Sequence, residues 1–354
     1  MVKPRCLTLF EESCRSEKTK STYSNLLNIF LKWANKDHES LLILPDIQLQ
    51  ELLEDYMIFC KRRFKKAGIV TRFSAIEKFL FVNDRTVNKR KLMMFLPEAK
   101  KTKQRAITNQ ECIDLISHSS SKRNRAIIHL FASTGCRPEA LTEVRIMNIG
   151  KMPDNCMSIV LYAGTNNELI TFAHSEATKA VNEYLDERRG TGELLKPESF
   201  LIRRKFFLTN SENPKPLTVN GLESIMSHAM KQARIKRIKL DEHRFDLPVC
   251  GGFRNRFSTI FKMNSNISYV ISEMFMDHKI RMESYYTMPT KEQLFEEYKK
   301  AIPELILDES EKLRIENKEK QKTIEKLESD KDRRISELES QMDNVRELLK
   351  KVTQ

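Results

Sequence analysis

Apolar residues at helical spacing dominate the first hundred positions and constrain the fold more than any other feature. In residues 19–33 they recur three or four positions apart, and the same spacing returns in 49–64, 71–81 and 86–95. This period is typical of amphipathic helices and differs from the alternation of strands. We therefore expect residues 1–99 to form a small helical bundle.

A basic, polar segment at 100–107 predicts a linker between two domains. Thr108 and Glu111 then have the spacing of a capping box, which predicts the start of a new helix. Residues 108–306 again have mostly helical spacing, except that 158–163 and 168–172 predict a β-hairpin. The expected fold class is mainly α, with an α+β second domain.

The last segment, residues 307–354, contains neither glycine nor proline. Its apolar residues occupy a heptad register that polar residues interrupt: Leu313, Ile324, Leu327, Leu338, Val345, Leu348 and Val352. This register predicts an imperfect coiled-coil tail that self-associates or pairs with a partner helix. A single solvated helix is the alternative.

Charge and composition narrow the classes of protein. The chain of 354 residues is long enough for two domains and has a net charge of +13. The tail from Asp308 has a net charge of −1, so the positive charge lies in the residues before it. A basic body favours a polyanionic partner, DNA or RNA. Seven scattered cysteines without a CxxC pair argue against a disulfide framework or a structural zinc site and favour a cytoplasmic protein. No apolar run is long enough to predict a membrane span.

Three short segments carry residues suited to phosphate chemistry. Arg137 follows a helix break at Gly135, Arg254 follows the pair Gly251-Gly252, and His278 precedes the adjacent tyrosines Tyr285 and Tyr286. Taken singly, the two arginine segments are more typical of a capped turn and a solvated helix start, and a lone histidine is more often structural. The adjacent tyrosines are equally typical of a core. Together they match the needs of phosphodiester cleavage by a tyrosine: arginine forks for the non-bridging oxygens, a phenol nucleophile and proton donors.

In this order the segments resemble the tyrosine recombinase (phage-type integrase) family, and within it the archaeal integrase branch. TGCRPEAL, which contains Arg137, resembles the family's TGxR box, and GGFRNRF resembles its H-x-x-R box. MDHK resembles the G-H box, and SYYTMPTKEQLFEEYKKAIPEL resembles the nucleophile segment and the helix after it. The resemblance covers about residues 15 to 305, including a core-binding domain before the catalytic domain.

The resemblance implies a role for each of these residues. Arg137 and Arg254 would clamp the scissile phosphate, His278 would hydrogen-bond a non-bridging oxygen, and Tyr286 would attack phosphorus. Tyr285 is the alternative nucleophile. The chain would then cleave and rejoin duplex DNA at specific sites through a 3′-phosphotyrosine, without metal or cofactor. A tetramer on two duplexes, integrating or excising a mobile element, is the assembly that the resemblance implies.

Two positions depart from the family pattern. Asn166 stands where the family has a hairpin lysine that protonates the leaving oxygen, and Gly251 stands where it has His or Lys. These departures leave two alternatives open: a weakened or inactive DNA-binding relative, and an enzyme like a type IB topoisomerase.

Basic clusters predict the contacts with duplex DNA, because phosphate contacts supply most of the affinity. The residues are Lys61, Arg62, Arg63, Lys65, Lys66, Lys89, Arg90, Lys91, Lys100, Lys101, Lys103, Arg105, Lys236 and Arg237. A solvated face is the alternative for each cluster.

Overall fold

A computed structural model describes residues 3–98, 103–205, 215–241, 244–278 and 288–352. The chain divides into two compact units, Met1–Lys101 and Thr102–Gln354. In these described ranges, no helix is both long and apolar enough to cross a membrane.

The first unit is helical, as the apolar spacing predicts. Its helices are α1 (Arg5–Glu12), α2 (Glu17–Ala34), α3 (His38–Leu42), α4 (Asp46–Lys61), α5 (Lys66–Val82) and α6 (Lys89–Met93). The Ser16 hydroxyl accepts the backbone N–H of Thr19 and so caps the start of α2. Fully buried Phe30, Leu53 and Phe79 belong to one hydrophobic core. The short helices α1 and α3 escaped prediction because they offer too few turns for a period to show.

The second unit is also mainly helical and contains a small sheet. Its elements are α7 (Asn109–Ser117), α8 (Lys122–Thr134), α9 (Pro138–Glu143), a 3-10 turn (Ile146–Asn148), β1 (Ile149–Lys151), β2 (Met157–Leu161), β3 (Leu169–Ala173), α10 (Ser175–Gly190), α11 (Val219–Gln232), α12 (Gly251–Met263), α13 (Tyr269–Phe275), α14 (Lys291–Lys299), α15 (Ile302–Leu305) and α16 (Glu309–Val352). The strands pair antiparallel in the order β1-β2-β3, with Leu161 opposite Leu169. The predicted mainly α fold with one hairpin is therefore confirmed.

Buried polar groups join the helices around the sheet. The Arg256 guanidinium donates to the carbonyl oxygens of Ala132 (3.2 Å) and Leu305 (3.1 Å), which ties α8, α12 and α15 together. The hydroxyls of Ser133 and Tyr298 lie 2.7 Å apart in the core. Because these groups are shielded from water, their hydrogen bonds fix the end of α8, where Arg137 follows.

The C-terminal tail is one helix, α16, of 44 residues. The Glu176 carboxylate accepts the backbone N–H groups of Leu307 (3.1 Å) and Asp308 (2.7 Å) just before that helix begins. Further along, Lys318 forms an ion pair with Asp154 at 2.8 Å. The predicted coiled-coil pairing of this helix stays a prediction.

Candidate active site

The turn between α8 and α9 positions Arg137. Gly135 ends α8 in the left-handed region at φ +57°, and a Cβ at this position would approach the Phe257 side chain to 2.6 Å. Only glycine combines that backbone conformation with that close approach. Arg137 is the N-cap residue of α9, and Pro138 is its first helical residue. The sequence thus fixes the backbone of Arg137 on both sides.

Arg254 reaches the same turn from α12. Its Nη1 donates to the Gly135 carbonyl oxygen at 3.1 Å, and its Nη2 donates to the Met276 carbonyl oxygen. Burial lowers the pKa of Arg254, and the nearby positive charge of Arg137 lowers it further. An arginine stays protonated despite such a shift, so two cations from distant parts of the sequence share one location.

The residues after α13 complete this location. Asp277 adopts a left-handed conformation at φ +50°, and its carboxylate forms an ion pair with Arg137. His278 follows directly, and its Nδ1 lies 2.7 Å from the Glu273 Oε2 atom. Glu273 also pairs with Lys262, and the hydrogen bond from Lys262 is the main reason that the pKa of Glu273 is lowered. The ionised carboxylate holds the imidazole ring in one orientation.

Tyr162 is a member of this cluster that the sequence did not single out. It follows the last residue of β2 and has φ +53°, an outlier conformation for a bulky side chain. Burial raises the pKa of the Tyr162 phenol, whereas a hydrogen bond and the charge of Arg137 lower it. Glu273 was also missed; an acidic residue five positions before the histidine is its sole trace in the sequence.

The structure therefore brings three of the predicted residues, Arg137, Arg254 and His278, to the turn that ends at His278. Tyr286 and Tyr285 lie outside the described residues. Asn166 is exposed in the turn between β2 and β3. Gly251 begins α12, and a Cβ there would lie 3.1 Å from Pro248, which leaves little space for the side chain that the family pattern has there.

The basic residues at the junction of α4 and α5 are exposed: Lys61, Arg62, Arg63, Lys65 and Lys66. Arg63 also lies over the Phe59 ring, 4.3 Å from its centroid. In contrast, Lys89 pairs with Glu77 and Lys91 pairs with Glu54. Arg90, Lys103 and Lys236 are exposed, and Lys100 and Lys101 lie outside the described residues.

Two of the predicted DNA contacts have partners inside the second unit. Arg105 forms ion pairs with Glu111 at 2.8 Å and Asp246 at 2.9 Å. Arg237 donates to the Leu247 carbonyl oxygen at 2.8 Å and lies over the Phe245 ring. These contacts hold the two guanidinium groups within the fold, so their charges are less available to DNA than the sequence indicated. Over the described ranges, no three metal-ligating side chains gather at one point.

Comparison with known structures identifies the fold. The Tn1549 transposon integrase in complex with transposon right end DNA matches 83% of this chain and 98% of its own, with a TM-score of 0.56 and 13% sequence identity. A lambda integrase(75–356) dimer bound to a COC′ core site matches 80% of this chain and 92% of its own, with a TM-score of 0.53 and 15% identity. XerH recombinase in a post-cleavage complex with palindromic difH matches with a TM-score of 0.52 and 16% identity over 78% of both chains. No protein-family model and no curated protein sequence matches the chain significantly.

The fold thus belongs to a class that these DNA integrases and site-specific recombinases define. It is the tyrosine recombinase fold, and the resemblance that the sequence motifs indicate is confirmed for the fold. Because the identities are low, the similarity establishes the fold alone. The archaeal branch stays a prediction.

Proposed function

We propose that this chain is a tyrosine-type DNA strand transferase, a site-specific recombinase or integrase that works through a 3′-phosphotyrosine. One observation carries the proposal: Arg137 and Arg254, far apart in sequence, meet at the turn that precedes His278. Two fixed guanidinium groups beside a histidine suit the charge that develops on a phosphodiester in the transition state.

Each residue has a defined role in the proposed reaction. Arg137 and Arg254 bind the two non-bridging oxygens, and His278, oriented by Glu273, donates a hydrogen bond to one of them. The Tyr286 oxygen attacks phosphorus, and the 5′ oxygen leaves. The reverse attack by a 5′ hydroxyl, from the same strand or another, rejoins the DNA. The bond energy is retained in the phosphotyrosine, so the cycle needs no external energy source.

Duplex DNA is the proposed partner. The exposed cluster at the junction of α4 and α5 and the net charge of +13 support it. Similar structures are described as an integrase dimer bound to a core site and a lambda integrase tetramer bound to a Holliday junction. We extend both features to this chain and propose a tetramer on two duplexes, bound to the nucleoid in the cytoplasm.

A catalytically weakened DNA-binding relative is the second candidate. Asn166 and Gly251 remove two proton donors of the family pattern, and loss of a general acid costs about 10² to 10⁴ in rate. An enzyme like a type IB topoisomerase would share the chemistry on a single duplex.

A suicide duplex, nicked beside the target so that the leaving strand diffuses away, tests the proposal. We expect a covalent protein–DNA adduct that persists in Tyr285→Phe and is lost in Tyr286→Phe. Binding without an adduct would support the inactive relative. Strand exchange between two duplexes would separate a recombinase from a topoisomerase.

A further inference from the structure

The cluster at Arg137 includes a side chain to which neither the motifs nor the proposed reaction gives a role. Tyr162 lies at the end of β2, where the hairpin turn begins. Its carbonyl oxygen accepts both the backbone N–H of Thr165 (3.1 Å) and the Thr165 hydroxyl (2.8 Å). The Glu168 carboxylate accepts the N–H of Gly164 at 2.7 Å and closes the turn. These bonds impose the left-handed conformation of Tyr162, φ +53°, on a residue type that rarely adopts it.

Tyr162 is partly buried and packs against the hydrophobic core of the second unit. Its phenol lies within hydrogen-bond reach of the Arg137 guanidinium and close enough to Asp277 and Arg254 to interact with their charges. The strained backbone and the polar surroundings are independent observations, and strained residues cluster at functional sites.

The proposed reaction leaves one chemical need unmet. When the bond between phosphorus and the 5′ oxygen breaks, the departing alkoxide must receive a proton. The arginines do not release protons at neutral pH, and the thiol of Cys136, also near Arg254, is buried. His278 is assigned to a non-bridging oxygen, and Glu273 holds its ring. Of the other described residues of the cluster, Tyr162 has a neutral, half-buried hydroxyl next to the phosphate-binding arginines.

We propose that Tyr162 is the general acid of strand cleavage, a role that rests on the proposed function. The Tyr286 oxygen, its own proton released to water, bonds to phosphorus. The bond to the 5′ oxygen breaks with its electron pair on that oxygen, which takes the proton of the Tyr162 hydroxyl. Arg137 and Arg254 stabilise the Tyr162 phenolate that results. During rejoining, the incoming 5′ hydroxyl returns its proton to this phenolate.

A phenol suits this task chemically. Its ordinary pKa of about 10 is close to that of a lysine ammonium, at about 10.4, so both can protonate an alkoxide. The difference lies in the charge: the phenol becomes an anion after donation, whereas an ammonium becomes neutral. The two nearby guanidinium groups compensate for that difference by favouring the anion.

Bridging-sulfur DNA gives a specific test, because a 5′ thiolate leaves without protonation. The conjugate acid of that thiolate has a pKa of about 8.5, far below that of an alcohol. We would measure adduct formation by the full chain and its Tyr162→Phe variant on matched suicide duplexes with oxygen or sulfur at the 5′ bridge. Tyr269→Phe is the control, since the Tyr269 side chain is exposed on α13. Melting temperature and DNA affinity verify that each variant folds and binds.

We expect Tyr162→Phe to slow cleavage of the oxygen substrate by about 10² or more and to cleave the sulfur substrate at the rate of the unaltered chain. Slow cleavage of both substrates would mean that Tyr162 only positions Arg137, and normal cleavage of both would mean that it has no role; either result overturns the inference. If the unaltered chain forms no adduct with either substrate, the proposed function itself fails, and the proton-donor role fails with it.

Discussion

Arg137 and Asp277 form an ion pair in which the arginine side chain is 36% exposed and the carboxylate 28%. In the MDHK segment, Asp277 stands where the G-H box that the segment resembles has glycine. Asp277 adopts the left-handed backbone conformation that glycine favours and aspartate tolerates. Its carboxylate contacts the guanidinium that the proposed reaction assigns to the scissile phosphate. In the proposed reaction, two anions would therefore compete for one cation, and the DNA phosphate would have to displace the Asp277 carboxylate.

Asp277→Asn tests this competition. Asparagine tolerates the same backbone conformation, so the substitution removes the charge with little change in shape. A partly exposed ion pair contributes about 0.2 to 1 kcal/mol, and we expect adduct formation at subsaturating DNA to rise about 1.4- to 5-fold. A ten-fold decrease would show instead that Asp277 holds Arg137 in its active position.

The Glu273 carboxylate makes the stability of the second unit depend on pH. Hydrogen bonds from Lys262 and then His278 hold its pKa below the usual value near 4.5. A carboxylate with a lowered pKa in the folded state adds stability that is present above about 4.5 and lost as pH falls through the folded value. We expect Glu273→Gln to cost about 2 kcal/mol at pH 7 and progressively less below pH 4.5.

Thermal unfolding of the unaltered chain and of Glu273→Gln from pH 7 to pH 3.5 measures the difference in their stability. Glu77→Gln is the control, because Glu77 pairs with the exposed Lys89 on the surface of the first unit, where an ion pair contributes little. A Glu273→Gln penalty that stays constant across this range would refute the assignment of the pH dependence to this carboxylate.

The sequence predicted the helices better than it predicted the contacts around the candidate site residues. The apolar period of 49–64 predicted α4, because a buried helix face leaves a regular record in the sequence. Tyr162 and Glu273 leave no such record, since their roles arise from a turn conformation and from a contact between side chains. Arg105 was predicted to contact DNA from local charge alone, whereas its partner Asp246 is distant in sequence. Tertiary pairing of this kind has no local signal.

Two constraints require glycine at position 135: its left-handed backbone conformation and the close approach of the Phe257 side chain. Substitution with alanine would place a methyl group 2.6 Å from Phe257 in a conformation, φ +57°, that costs an L-residue about 1 to 2 kcal/mol. Overpacking adds about 1 to 3 kcal/mol, so we expect Gly135→Ala to lower the free energy of unfolding by about 3 kcal/mol. The control is Gly190→Ala at the end of α10, where a Cβ meets nothing within 4 Å. Denaturant melts of the two variants should diverge; equal midpoints would contradict the steric argument.

The exposed cations at the junction of α4 and α5 should appear in the salt dependence of DNA binding. Each lysine or arginine that contacts a phosphate contributes about one to the slope of log affinity against log salt. We expect Arg62→Ala to reduce that slope by about one. Lys20→Ala is the control, because it removes the same charge from α2 but Lys20 is already paired with Glu11. The slope for Lys20→Ala should therefore equal that of the unaltered chain. If both variants had the same slope of log affinity against log salt, the net charge of the chain would set the salt dependence and the position of Arg62 would have no effect.

We expect the long helix α16 to self-associate through its heptad face. Ile324, Leu327 and Leu338 are 47%, 63% and 60% exposed and occupy positions of the heptad register. A second copy of the helix would bury them, and burial of each such side chain contributes about 1.5 to 3 kcal/mol. We expect Leu327→Lys combined with Leu338→Lys to weaken self-association at least about 100-fold in sedimentation equilibrium. Ser329→Lys adds a charge at an exposed position outside that register and should leave the association intact. A chain that is monomeric at every concentration before substitution would disprove self-association and favour the solvated helix.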